Sequence, residues 1–294
     1  MTTTPRASIL VPTHNKPSTL PVAVASALAQ TVADVEVIII GDGVTDDVRA
    51  AVQPLLADPR VRFLDLPKGP HHGEVHRHTA VLEARSDAIL YLCDDDLFLR
   101  DHVADLLALL EDHDLVQCWN GFVTTSGRIH LFASDLSDPH EIAAHTARKP
   151  FYNKVSVTGT GHTRGAYLAL DDPWETTPVG DQPDHHQFAK FMRRPGFRGA
   201  TSSRMTALQL PTSEDGRDTW TADERLAELL RWWDFVRSPD AQDVLDEMCH
   251  TAARRALVEE GYRVRHFRDS VWWRGTALPR RLARTARAAV RGAP

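Results

Sequence analysis

The sequence predicts an α/β fold: a mostly parallel β-sheet flanked by helices, followed by a C-terminal helical extension. Three observations predict it. Over the first hundred residues, short apolar runs alternate four times with helix-like stretches, the pattern of strand–helix–strand crossovers. The apolar runs ASILV, VEVIII and AILYLC are continuous rather than alternating, as strands covered on both faces read. Each ends in polar or acidic residues, which a parallel order gathers along one edge of the sheet, where open α/β sheets place ligands.

In chain order, Ala7 to Val11 is the first strand, and it exits into the polar turn PTHNKP. Ser18 or Thr19 caps a helix running to about Gln30, with Leu20, Val24 and Leu28 on one face. Val35 to Ile40 is a second buried strand, stopped by Gly41-Asp42-Gly43, and Thr45 or Asp46 opens a helix toward Leu56. Val61 to Leu66 is the third strand. A loop with Gly69 and Gly73 leads to a helix from about Glu74 to Ala84. Asp87 to Leu92 is the fourth strand, and Arg100 to Leu110 is a helix.

The pattern then changes. Leu115 to Thr124 and Arg128 to Ala133 predict an antiparallel hairpin turning at Ser126-Gly127. Leu136 to Lys149 reads as loop with a short helix, and Phe151 to Thr158 as a strand. Gly159 to Gly165 is a Gly/Thr loop entering a helix near Ala166, and Asp171 to Pro183 is irregular. Asp184 to Arg193 is a helix with Phe188, Phe191 and Met192 inward. Met205 to Leu210 is a last strand, and Thr221 to Val236 and Asp240 to Glu260 are helices. Neither a repeat nor a linker divides this into independent cores.

The most improbable stretch on packing grounds is AILYLCDDDLFL, where Asp94, Asp95 and Asp96 interrupt apolar sequence. Adjacent acids repel one another and are costly to desolvate unless positive charge sits on them. A divalent cation held by oxygen ligands, and through it a phosphate, answers that need. The alternative is a solvated loop capping the next helix. The net charge of −6 argues against nucleic-acid binding, although the chain from Tyr262 onward is Arg-rich with one acid, Asp269. No signal-peptide pattern or membrane-span-length apolar run is present, so a cytoplasmic protein is expected. Cys93, Cys118 and Cys249 are isolated and read as reduced thiols. Only His72 and His76 of the four histidines between His71 and His78 have i,i+4 spacing, which argues against zinc.

SILVPTHNKPSTLPVAVASALAQT, VEVIIIGDGVTDD and YLCDDDLFLRDHV, in that order, resemble the start of a family 2 glycosyltransferase with the GT-A fold, of the non-processive bacterial type. TTPVGDQPDHHQFAKFM is similar to the acceptor-side segment of bacterial members. The resemblance implies a catalytic domain over residues 1–215, with a nucleotide-sugar-binding half (1–112) and an acceptor-binding half (113–215). Residues 216–294 then form the helical extension with its basic tail. It implies a nucleotide-diphospho-sugar donor, UDP- or dTDP-linked, a hydroxyl acceptor, Mg²⁺ or Mn²⁺, and inversion at the anomeric carbon. On that resemblance Asp94 and Asp96 are metal ligands, Asp96 foremost, and Asp95 contacts the donor sugar or ribose. Asp42 reads the base and Thr13 lies beside base and ribose. Arg77 reaches base or diphosphate, with His78 in place of the family's Asn.

The same resemblance gives Asp184 as the expected base for the acceptor hydroxyl, with Asp181 as runner-up, and His185 or His186 to tune it or coordinate the cation. Departures from the family pattern are Gly43-Val44 after Asp42 and Pro183 before Asp184. Glu228-Leu-Leu-Arg231-Trp232 distantly resembles the Gln-x-x-Arg-Trp of processive members, but a helix packing Trp232 and Trp233 inward is the simpler reading. Trp119 and Trp174 suit core or sugar stacking. The tail, with Val271-Trp-Trp-Arg and Arg280 to Arg291, fits peripheral contact with an anionic membrane surface as well as a solvated end. Rival functions are a sugar-phosphate nucleotidyltransferase, against which PTHNKP lacks the expected glycines, and a catalytically idle nucleotide-sugar-binding protein. An oligomer is compatible with the sequence.

Overall fold

The parallel block consists of β1 (Ala7–Thr13), β2 (Val35–Asp42), β3 (Val61–Leu66) and β4 (Ala88–Tyr91), side by side in the order β3-β2-β1-β4. The structure, a computed structural model, describes residues 4–147, 152–213 and 216–269. Successive strand residues feed two separate cores. Ile9, Val37 and Ile39 pack with one cluster, while Leu10, Ile38 and Ile40 pack with the other. This is why the strands are apolar without alternation. The first core is closed by α1 (Leu20–Leu28), α2 (Asp46–Val52) and α4 (His102–Leu110). The second is closed by α3 (His76–Glu83), α6 (Arg164–Leu168) and α7 (Pro183–Met192).

The second half extends the same sheet. β5 (Leu97–Phe98), β6 (Leu115–Val123), β8 (Thr160–Thr163) and β9 (Gly199–Gln209) complete the order β3-β2-β1-β4-β8-β6-β9-β5, and β7 (Ile129–Phe132) forms the expected hairpin with β6. β8 runs antiparallel to β4 and β6, whereas β6 and β9 are parallel. α5 (Pro139–Thr146) is the short helix expected in the His-rich stretch, and α8 (Ala222–Val236) and α9 (Ala241–Asp269) follow the sheet. The chain divides into two compact units, Met1–Asp246 and a second beginning at Glu247. The boundary drawn from the sequence at 215/216 falls inside the first unit, where α8 packs on α1 and β5. Among the described residues no helix is long and apolar enough to cross a membrane. The basic segment from Val271 onward lies outside the described residues.

Three expectations need correction. The strand expected at Phe151 to Thr158 is absent from its described part, residues 152–158, and the chain forms β8 just after it, where a loop was expected. β8 reads TGHT and has no apolar residue; Gly161 must be glycine because a Cβ there would come within 2.3 Å of Leu90 Cδ2. β9 begins six residues before the expected Met205, through a small, polar segment. β5 was hidden in the apolar residues that follow the acids, where it pairs with β9.

Candidate active site

The parallel register puts the carboxyl ends of β1, β2 and β4 together, so Thr13, Asp42 and the acid triplet share one edge as expected. After β4 the chain turns tightly, with the Asp96 amide donating to the Cys93 carbonyl at 3.2 Å, before β5 begins. All three acids are at least nine-tenths buried, which excludes the solvated-loop alternative. Asp96 is held by neutral donors: the Thr158 hydroxyl at 2.5 Å and the Leu210 amide at 2.8 Å. Asp95 is gripped by Lys16 and by Arg225 Nη2, the latter at 2.8 Å. Lys16 lies 3.8 Å from Asp94.

Burial, together with repulsion from Asp95, pushes the carboxyl pKa of Asp94 up to about 6 and that of Asp96 up to about 7, against the opposing pull of Lys16. Burial lowers the Lys16 pKa, but the three carboxylates around it outweigh that effect and raise it. Among the described residues no group of three or more His, Cys, Asp or Glu side chains converges as a complete cation cage. Asp94 and Asp96 supply oxygen donors, the ligand type a hard divalent cation takes.

Asp42 is buried at the end of β2, with both carboxylate oxygens engaged: Oδ1 accepts from the Gly69 amide and Oδ2 from Lys68 Nζ, each at 2.6 Å. His76 Nε2 lies 3.3 Å from Oδ1. Burial raises its pKa, but Lys68, Gly69 and His76 together hold it below the ordinary value. Gly73 has a φ of +64°, and a Cβ there would fall 2.2 Å from the Asp42 carboxylate. Asp42 thus braces the Lys68–Gly73 loop from beneath. Thr13 is buried at the end of β1.

Arg77 on α3 is 7% exposed, its Nε and Nη1 have no hydrogen-bond partner, and its guanidinium carbon lies 4.8 Å from the centre of the Trp174 ring. Trp174 is core, not a sugar platform: its Nε1–H donates to the Tyr91 hydroxyl at 2.8 Å, and that hydroxyl lies 2.7 Å from His162 Nε2. His78 is occupied by the Tyr167 hydroxyl at 2.9 Å.

Asp184 stands in the first turn of α7, partly buried, with Oδ1 accepting from the His185 amide at 2.8 Å. Burial raises its pKa above the usual carboxylate value, opposed by His185, Asn153 and Arg77. It lines a cleft of ≈ 310 Å³ together with Asn153, Ser156, Phe122, Pro211 and Ser213. The segment that grips Asp96 through Leu210 continues directly into Pro211, so one strap both holds Asp96 and lines the Asp184 cleft. The neighbouring histidines are committed elsewhere. His185 Nε2 lies 2.7 Å from the His145 carbonyl, and His186 faces Glu175 at 3.2 Å and Asp181 at 3.7 Å.

Sequence reasoning missed Lys16, Thr158, Arg217 and Arg225, and noted Glu228 only as part of a distant motif. Lys16 carried a signal, because it lies in the polar turn leaving β1. Arg225 carried none, being 130 residues from the carboxylate it holds.

The curled, mostly parallel sheet of nine strands among the described residues, flanked by helices, has the GT-A fold. The Glycosyl transferase family 2 model matches residues 8–165, and the chain belongs to that family of transferase enzymes. It is 29% identical over 112 residues to an uncharacterized glycosyltransferase of Rickettsia felis, a match covering 38% of this chain and 18% of that protein. A counterpart from Rickettsia conorii is 28% identical over 110 residues, 37% of this chain and again 18% of the relative. Among solved structures, S. aureus TarS 1–349 in complex with UDP-GlcNAc superposes with a TM-score of 0.55 and 16% identity, covering 80% of this chain and 67% of that one. The mannosyltransferase PcManGT from Pyrobaculum calidifontis, in complex with GDP-Man and Mn²⁺, gives 0.51 and 16%, covering 94% and 84%. At these identities the structural likeness concerns the fold.

Proposed function

We propose that the chain is an inverting, metal-dependent glycosyltransferase that moves a sugar from a UDP- or dTDP-sugar to a hydroxyl acceptor. One observation carries the reading: the strap from Leu210 to Ser213 grips Asp96 on one side and lines the Asp184 cleft on the other. In support of the reading, one short segment touches both a carboxylate suited to a cation and the cleft of a candidate base on a different element. The neighbours crystallised with UDP-GlcNAc and with GDP-Man and Mn²⁺ support the donor class and the cation.

In this reading Asp94 and Asp96 hold Mg²⁺ or Mn²⁺, which supplies the positive charge needed by the departing diphosphate. Arg77, buried with Nε and Nη1 unpartnered, is taken as the cation that meets the base or diphosphate. Asp42 retains lone pairs to accept the imide N–H of uracil or thymine, with Thr13 beside it. Asp184 takes the acceptor proton, and its raised pKa makes it a stronger base than an exposed carboxylate. Peripheral attachment to the cytoplasmic face of a membrane is proposed from the basic tail sequence alone.

The test is a screen of UDP-, dTDP- and GDP-sugars with Mn²⁺, followed by assay of donor hydrolysis and transfer. Asp184→Asn is expected to keep the affinity for UDP and to lose about 10²–10⁴-fold in turnover. Loss of nucleotide affinity with turnover unchanged would remove Asp184 from the role of base. Stabilisation by a nucleoside triphosphate with pyrophosphate release would favour the nucleotidyltransferase.

A further inference from the structure

We infer that Arg225 on α8, together with Lys16, is a charge clamp on Asp95 that makes the triplet accept the cation and the nucleotide diphosphate together rather than the cation alone. This inference rests on the donor site proposed above. It concerns residues beyond the matched family segment: Arg225 lies 60 residues past its end at residue 165.

The geometry is specific. Lys16 and Arg225 approach the same oxygen, Oδ2 of Asp95, from opposite ends of the sequence. Arg225 also donates through Nη2 to the Leu210 carbonyl at 2.8 Å, so it ties Asp95 to the strap that holds Asp96. Its own direction is set from behind. Arg225 Nη1 lies 3.3 Å from Glu228 Oε2, and Glu228 is locked in a two-point pair with Arg217, at 2.9 and 2.8 Å. The Arg217 side chain is fully buried, and its Nη1 and Nη2 also donate to the Pro211 and Val123 carbonyls, each at 2.9 Å. Arg225 is only 11% exposed, so it is not a loose surface cation. A Thr221–Glu224 capping box starts α8 one turn earlier.

The electrostatic consequence follows. Three carboxylates with no protein cations would hold a divalent ion tightly and repel a diphosphate. With two protein cations committed to Asp95, the triplet is a poorer site for a bare ion. It becomes a better site for an ion that arrives with, or is followed by, a diphosphate. Arg225 is therefore a positioning residue: it acts through Asp95 and through the local charge.

The test measures Mn²⁺ binding alone by electron paramagnetic resonance, and UDP binding at saturating Mn²⁺ by calorimetry. The full-length chain is compared as wild type, Arg225→Gln, Arg225→Lys and Asp95→Asn/Arg225→Gln. Glutamine can still donate to the Leu210 carbonyl but carries no charge. Arg225→Gln is expected to bind Mn²⁺ alone about five- to tenfold more tightly, and UDP with Mn²⁺ more weakly by a similar factor. Arg225→Lys should restore both values toward wild type. Removing the Asp95 charge as well should return Mn²⁺ affinity toward wild type. A merely structural role would weaken both ligands in Arg225→Gln, and that outcome, or no change in either, overturns the clamp. If Arg225→Gln does not fold, the lysine variant decides: near-wild-type values for both ligands support the clamp, and loss of both contradicts it. Failure of the wild type to bind UDP with Mn²⁺ would instead remove the donor site itself.

Discussion

Gly73 and His102 show how single residues carry the local demands of this fold. Gly73 combines a left-handed φ of +64° with a position directly against the Asp42 carboxylate. Any side chain there meets both backbone strain and a clash. Gly73→Ala is expected to cost roughly 1–3 kcal/mol in a denaturant titration, and an unchanged midpoint would contradict the brace. His102 is fully buried, stacked on Phe98 at 3.8 Å, and its Nδ1 lies 2.8 Å from the Thr206 hydroxyl. Burial lowers its pKa to about 3 from 6.5. The unfolded chain therefore binds this proton more readily than the folded one, so the stability His102 contributes is complete above about pH 6.5. It declines as pH falls from there toward about 3. The stability difference between wild type and His102→Gln is expected to be flat above that window and to shrink within it. A difference independent of pH would show that the histidine charges freely in the fold. Comparing the pair is necessary because Asp94 and Asp96, with raised pKa values, contribute in the opposite direction as pH rises.

At the scale of elements, α8 is the surprise. Its Glu228 and Arg225 lie in a segment whose sequence resembles only a distant motif, yet they tie the helix to the acid triplet. Glu228 pairs with a fully buried Arg217, so removing the carboxylate leaves an uncompensated buried cation. Glu228→Ala is expected to lower stability by about 3–5 kcal/mol in a denaturant titration, whereas an exposed ion pair would cost no more than about 1 kcal/mol. β8 makes a complementary point about packing. Its residues sit at the centre of the sheet between β4 and β6, but they are Thr, Gly and His: Gly161 leaves room for Leu90, and His162 meets the Tyr91 hydroxyl. Hydrophobic periodicity has nothing to detect there. Three of the four parallel strands, β1, β2 and β4, were plain by contrast, because they are buried on both faces and mostly apolar.

Across the whole molecule, what was legible depended on how local the cause was. The acid triplet stood out because an apolar run leads straight into it, and the parallel order alone places it beside Thr13 and Asp42. Asp184 was reached through the family resemblance alone, and it lines a cleft with Pro211 and Ser213 of the strap. The donors that hold the acids were not legible: Thr158 is 62 residues from Asp96, and Arg225 is 130 from Asp95. No local pattern encodes a pairing made by the path of the chain. The central claim is that Asp94 and Asp96 join a divalent cation to a nucleotide diphosphate. The most direct measurement is calorimetric titration of UDP into wild type and Asp96→Ala, each with and without Mn²⁺. Wild type should bind UDP with Mn²⁺ and at least tenfold more weakly without it, a gap of about 1.4 kcal/mol, and Asp96→Ala should show no gap. Equal UDP affinity in the two proteins, with Mn²⁺ making no difference to either, would contradict the account.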